Sequence, residues 1–217
     1  MMKAIVYRQY GSPDVLRLED VTQPTPADDQ VLVKVHAASL NAADGYMLHG
    51  KPFLVRFDFG LTGPKHIIPG CDFSGVVESV GRAVTRFKVG DAVYGDLSGS
   101  GCGALAEYVA VSEKILALKP ANLSFEQSAA IPMAAVTALQ GLRLGNVKSG
   151  EKVLIQGASG GVGTFAVQLA SLSGAEVTAV CSTQKVDLMR SLGAKHVIDY
   201  KQTNFTQGNK RYDVILA

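Results

Sequence analysis

The apolar positions of the chain fall into two textures. Through the first half they come in short β-like runs: Ala4 to Tyr7, Val31 to Ala37, Gly75 to Val80, Ala92 to Tyr94 and Ala106 to Val111, separated by glycine and proline turns. Val31, Val33 and Val35 sit at every second position, the spacing of a half-buried strand. Beyond Pro120 to Glu126 the pattern changes. Phe125 to Leu144 reads as a long helical region. Val153 to Gln156 is a short apolar, partly β-branched run of the kind found in buried parallel strands. Gly157 to Gly163 is a turn almost without side-chain bulk. Phe165, Val167, Leu169 and Leu172, with Ala166 and Ala170, predict a helix apolar over most of its surface. A second unit follows: a strand at Glu176–Cys181 and a helix over Val186–Leu192 that Gly193 closes. Strands at His196–Tyr200 and Tyr212–Ala217 complete the pattern. Parallel strands spaced by helices predict a doubly wound sheet. The fold class is therefore α/β, with a compact β-rich domain over 1–125 and a Rossmann-type domain over 126–217.

Strand, glycine turn, helix is the context that a dinucleotide fingerprint requires. Ala158-x-Gly160-x-x-Gly163 lies on the G-x-G-x-x-G pattern with alanine at its first position. The first small residue permits a tight turn, Gly160 lets the backbone approach a pyrophosphate, and Gly163 lets the helix sit close against the strand. The helix start supplies unpaired N–H donors and the positive end of the helix dipole. Ala158, Ser159, Gly160, Gly161, Val162 and Gly163 are thus the expected pyrophosphate cradle. An ordinary βα turn is the alternative, disfavoured by the units that follow.

An NAD-preferring site places an acid about 20 residues beyond the glycines to bind the ribose 2′-hydroxyl. Here that place holds Ser182-Thr-Gln-Lys185, with no acid between Glu176 and Asp187. A hydroxyl and a cation suit a 2′-phosphate, so Ser182 and Lys185 point to NADPH. Lys185 is equally readable as a solvated lysine at a helix start.

Composition narrows the class. The 217 residues are 47% hydrophobic and 18% charged, as in a globular protein, and the formal charge of +2 gives no reason to expect nucleic acid. No run approaches the ~20 apolar residues of a membrane span. Met1-Met2-Lys3 leads directly into a strand-like run, so no signal peptide is expected. Cys71, Cys102 and Cys181 are odd in number and far apart, which argues against a disulfide framework and for a reducing cytoplasm.

Six stretches together resemble one known family. They are Ala38 to Asp44 with Tyr46, Ile68 to Val77, Val89 to Tyr94, Gly103 to Val109, Ala129 to Ala138, and Gly157 to Gly163. Their order is similar to that of the medium-chain dehydrogenase/reductases, and within them the zinc-free quinone oxidoreductases. The resemblance implies a GroES-like N-terminal domain and a Rossmann domain that is incomplete at Ala217, its last strand left with an apolar edge, so that either the chain is a fragment or a partner supplies the rest. It further implies hydride delivery from NADPH to a quinone or an α,β-unsaturated carbonyl. By the same resemblance Asn41 and Tyr46 serve the substrate, Thr137 lies beside the nicotinamide, and Tyr200 lies near the adenosine phosphate. Each has a plainer alternative: Asn41 capping a turn, Tyr46 packing, Thr137 bonding within its helix, Tyr200 ending an amphipathic strand.

Zinc-dependent relatives place a cysteine ligand where this chain has Asn41, and Gly-His-Glu where it has Gly70-Cys71-Asp72. Catalytic zinc needs about three protein ligands. No metal is expected, Cys71 reads as a small buried residue, and Asp44 and Asp72 read as structural anchors. The segment Lys51 to Lys65, longer than in the shortest quinone reductases and carrying Phe53, Phe57 and Phe59, is expected to shape substrate access. The expected partners are a small carbonyl or quinone substrate and a second copy of the chain in a homodimer. The competing functions are a non-catalytic dinucleotide-binding protein of the same fold and a zinc-type alcohol dehydrogenase, the latter disfavoured by Asn41 and Cys71.

Overall fold

A computed structural model describes residues 1–207 and 209–217. Its strands are β1 (Met2–Val6), β2 (Arg17–Val21), β3 (Gln30–Ser39), β4 (Asp72–Val80), β5 (Ala92–Asp96), β6 (Tyr108–Ser112), β7 (Leu116–Leu118), β8 (Lys152–Ile155), β9 (Glu176–Cys181), β10 (His196–Asp199) and β11 (Val214–Leu216). Its α-helices are α1 (Ala42–His49), α2 (Val55–Phe59), α3 (Phe125–Ala129), α4 (Pro132–Leu144), α5 (Gly161–Leu172) and α6 (Val186–Ser191).

The chain divides into two compact units, Met1–Met133 and Ala134–Ala217. In the first, β6-β3-β4-β5-β7 form an antiparallel five-stranded sheet, and β1 and β2 form a separate antiparallel pair. Val31, Val33, Phe73, Val77 and Val93 are its fully or almost fully buried centre. The alternation read along β3 holds for Val31 and Val33, but Leu32 between them is buried too. The strand is central, paired with β4 and β6, and its register against β4 shifts at Leu32/Val33 and again at Val35/Ala37. Such bulges turn side chains away from strict alternation.

The helical region read as continuous from Phe125 to Leu144 is two helices, α3 and α4. Pro132 has no N–H to offer and disfavours helical backbone at the residue before it, so it serves as the first residue of a new helix. Helix α3 packs with the first unit: Phe125 stacks on His36 with ring centroids 4.4 Å apart, and Ser74 Oγ donates to the Phe125 carbonyl at 2.6 Å. The unit therefore runs on to Met133.

The second unit is a four-stranded parallel sheet in the order β10-β9-β8-β11. Val153, Ile155, Val177 and Ala179 from the sheet pack against Ala166, Val167 and Ala170 of α5 and Met189 of α6. Among the described residues no helix is long and apolar enough to cross a membrane.

Candidate active site

In the second unit the carboxyl ends of β8, β9 and β10 lie along one edge, with Ile155 level with Ala179 and Asp199 level with Cys181. Ligands of open α/β sheets bind outside this edge. The turn that leaves β8 is held by its own backbone. Gly157 adopts φ +64°, Ala158 N–H donates to the Val180 carbonyl at 3.1 Å, and Gly160 N–H donates to the Gly157 carbonyl at 2.9 Å. Ala158 is wholly buried, so its contribution is the tight turn. A Cβ on Gly163 would lie 2.3 Å from the Gly157 carbonyl oxygen and 2.6 Å from Ala158 Cα. Only glycine allows this approach of helix to turn.

Helix α5 begins after Gly160 with no side-chain cap and no acidic residue in its first turn. The amides of Gly161, Val162 and Gly163 thus have neither intrahelical acceptors nor a neutralising carboxylate. They face an open cleft of about 590 Å³ that is also lined by Thr137, Gln140, Gln156 and Gly157. The structure accordingly brings Thr137 together with Gly160 to Gly163.

At the neighbouring strand ends, Ser182 precedes a single 3-10 turn, Thr183–Lys185, and its carbonyl accepts the Lys185 N–H at 2.9 Å. Tyr200 follows β10 and its N–H donates to the Cys181 carbonyl at 3.1 Å. Ser182, Lys185 and Tyr200 therefore cluster on the loops after β9 and β10. Two residues were missed by sequence reasoning: Thr183 Oγ1 donates to Asp199 Oδ2 at 2.6 Å. This hydroxyl, helped by the Lys201 amide, holds the Asp199 carboxyl below the usual range. The available signal was an acid at a strand end immediately before Tyr200. It sits at the end of β10, whereas the ribose-binding acid of the fingerprint belongs at the end of β9.

The first unit places Asn41, Asp44 and Asp72 together. Asn41 is the N-cap of α1, and its backbone N–H donates to Asp44 Oδ2 at 2.7 Å. Its side-chain Nδ2 donates to Asp72 Oδ2 at 3.1 Å. Asp72, wholly buried at the start of β4, also accepts the Met133 N–H, at 3.0 Å on Oδ1 and 3.2 Å on Oδ2. Burial pushes its carboxyl up to about 6, against the pull of Asn41 and the Met133 amide. Burial raises Asp44 as well, and its Oδ1 has no hydrogen-bond partner among the described residues. Tyr46, on the same helix, is exposed, with more than half of its surface open.

A narrow pocket beneath α1 is lined by Tyr7, Asp44, Met47, Phe59, His66 and Cys102. Burial pushes the Tyr7 phenol up to about 12. Of the three phenylalanines in the 51–65 segment, Phe59 lines this pocket. Phe53 and Phe57 stay exposed, packed edge to face at 5.9 Å.

Residues 27–121 match the alcohol dehydrogenase GroES-like domain, and residues 161–213 match the family described as zinc-binding dehydrogenase. The chain is 43% identical, over 99% of its length, to the NADPH-dependent alkenal/one oxidoreductase, chloroplastic, of Arabidopsis thaliana. It is 40% identical, over its whole length, to the quinone-oxidoreductase homolog, chloroplastic, of Spinacia oleracea. The solved structure of the quinone oxidoreductase from Coxiella burnetii superposes with a TM-score of 0.88 at 37% identity, covering 99% of this chain. The chain belongs to the quinone oxidoreductase family of medium-chain dehydrogenase/reductases. It spans 56% of the Arabidopsis relative, 68% of the spinach one and 67% of the Coxiella chain.

The name of the second family model raises the question of zinc in this quinone oxidoreductase relative. Its residues do not fit the ion. Asn41 uses its amide N–H to reach Asp72, and the Cys71 thiol is wholly buried and pushed up by the neighbouring Cys102 thiol and by desolvation. Among the described residues no three His, Cys, Asp or Glu side chains are grouped to hold a metal. Dinucleotide fits better: the start of α5 offers bare amides to the cleft, on a turn held tight because Gly163 has no Cβ.

Proposed function

We propose that this chain carries the cofactor-binding and substrate-facing residues of an NADPH-dependent reductase of α,β-unsaturated carbonyls or quinones that works without a metal. The observation that carries the reading is the uncapped start of α5, whose amides open on the cleft shared with Thr137. The pyrophosphate would lie on the amides of Gly161 to Gly163, with Ala158 and Ser159 shaping the turn. Ser182, Lys185 and Tyr200 would hold the adenosine 2′-phosphate, Lys185 as a point charge and the hydroxyls as donors. Asp199, held by Thr183, takes no part in phosphate binding, because a carboxylate there would repel it. Thr137 would border the nicotinamide.

When bound, the reduced nicotinamide supplies a hydride. The chain's own residues then manage the charge that develops on the acceptor oxygen. The Asn41 amide hydrogen-bonds that oxygen, and the exposed Tyr46 hydroxyl delivers a hydrogen bond or a proton to it. Residence in the cytoplasm and assembly as a homodimer belong to the same proposal. The cysteines Cys71, Cys102 and Cys181 are all free. Two relatives carry "chloroplastic" in their names, so location is to be tested by fractionation rather than inherited.

The test is a fluorescence titration of the full chain with NADPH and NADH, followed by turnover against a panel of enones and quinones. Tighter NADPH binding with metal-independent turnover is the expected result. Saturable binding without turnover would assign a binding protein instead. Loss of activity on chelation would overturn the metal-free chemistry.

A further inference from the structure

Asp72 has a second consequence beyond anchoring. A carboxylate only accepts hydrogen bonds. Whichever way an amide is drawn, the Asn41 side chain must turn its NH₂ toward ionised Asp72, and the observed 3.1 Å contact does so. Asn41 Oδ1 is thereby fixed on the other side, and the second N–H of the same NH₂ is left to donate to the acceptor oxygen. The second anchor of Asp72, the Met133 N–H on both oxygens, prevents the carboxylate from following Asn41 if it rotates. We infer that Asp72 is a positioning residue that keeps an N–H of the Asn41 amide, rather than its oxygen, offered to the acceptor oxygen, so that its own ionisation gates the reaction. This rests on the reading of Asn41 as a substrate-facing residue.

The groups around Asp72 favour such a switch. Directly across on β5 is Asp96, and on α1 is Asp44, both acidic and both opposing ionisation. On β3 the facing residue is Ser39, and the start of α4 contributes only a backbone amide. None of these neighbours is a cation that would offset the two acids. Protonated Asp72 gains an O–H donor, and Asn41 is then free to reverse its amide.

Two measurements test this on the full chain. In ¹⁵N-labelled protein, the Asn41 side-chain amide resonances are followed as pH rises from mildly acidic to neutral. They are expected to shift with an apparent midpoint near the value of about 6 that burial gives Asp72. In the Asp72→Asn variant the titration is expected to disappear. There the new amide has a single oxygen for two donors. In turnover, Asp72→Asn is expected to lose about tenfold or more in kcat with little change in KM, the range of a lost proton-transfer or positioning contribution. The wild-type rise in kcat through the same pH range should flatten.

Asn41 resonances that ignore the titration would overturn the inference. So would a folded Asp72→Asn protein with wild-type kcat and an unchanged pH profile. If the variant does not fold, the wild-type titration decides alone. If the wild type reduces no acceptor, the functional reading fails, while the resonance titration still judges the link between Asp72 and Asn41.

Discussion

Gly163 and Gly157 sit at opposite ends of one turn and are glycine for different reasons. At Gly163 the obstacle is space, since a Cβ would press on backbone atoms of Gly157 and Ala158 that cannot rotate away. At Gly157 there is space, with nothing within 4 Å of the added Cβ, but φ is +64°. Gly163→Ala is therefore expected to cost ~1–3 kcal/mol by overpacking, and Gly157→Ala ~1–2 kcal/mol by backbone strain. Denaturant unfolding checks both. Because overpacking moves the helix start itself, Gly163→Ala is also expected to weaken NADPH binding more than Gly157→Ala does. Equal losses of affinity would sink the distinction. The spacing of small residues made the Gly163 role legible in the sequence, since close helix–strand packing has a fixed position in the fingerprint. The pairing of Thr183 with Asp199 was not legible, because it joins residues on different strands through a register that only the folded sheet supplies.

Among the elements, α1 joins a structural task to a proposed chemical one at its N-cap, Asn41. The sequence left open whether Asn41 caps a turn or serves a substrate. The structure shows it as the N-cap, with its side-chain amide on Asp72. The reciprocal contact comes from Asp44, whose Oδ2 takes the Asn41 N–H while Oδ1 is buried without a partner among the described residues. The cost of that arrangement depends on pH. Burial raises the Asp44 carboxyl, so the folded chain holds this proton to a higher pH than the unfolded chain does. Folding stability from this group is then full below the ordinary carboxylate range and falls as pH rises through the folded value. Asp44→Asn keeps an acceptor for the Asn41 N–H and carries no charge. Its stability relative to wild type is expected to improve as pH rises from acidic to neutral. Asp44→Ala, which loses the cap, is expected to cost ~1 kcal/mol more than Asp44→Asn at neutral pH. Thermal melts across pH check the order, and a wild-type advantage that grows with pH would contradict the sign. The break between α3 and α4 was open to reading from Pro132. Apolar periodicity on both sides masked it, because both helices bury a face.

At the scale of the whole molecule, the two units hold different parts of the proposed chemistry, and each can be interrogated separately. The β-rich unit carries Asn41, Tyr46 and Asp72, while the parallel-sheet unit carries the bare amides and the strand-end loops. The coarse division was legible because period-2 runs and βα alternation are distinct patterns. The boundary was not, because α3 has helical periodicity yet buries Phe125 against His36 of the sheet. A dinucleotide that binds only the folded chain stabilises it by about 2.7 kcal/mol at a hundredfold excess over Kd. Hydrogen exchange with saturating NADPH should locate that gain. Slowed exchange is expected at the amides of 157–163, 182–185 and 199–201. The central strands β3 and β4 should change no more than the global stabilisation requires. NADH should protect the 157–163 amides and leave 182–185 largely as in the free chain, because it lacks the 2′-phosphate that Ser182 and Lys185 are proposed to hold. Equal protection of 182–185 by both cofactors would remove Lys185 from the phosphate site. Protection absent from 157–163 would remove the dinucleotide from the α5 cradle altogether.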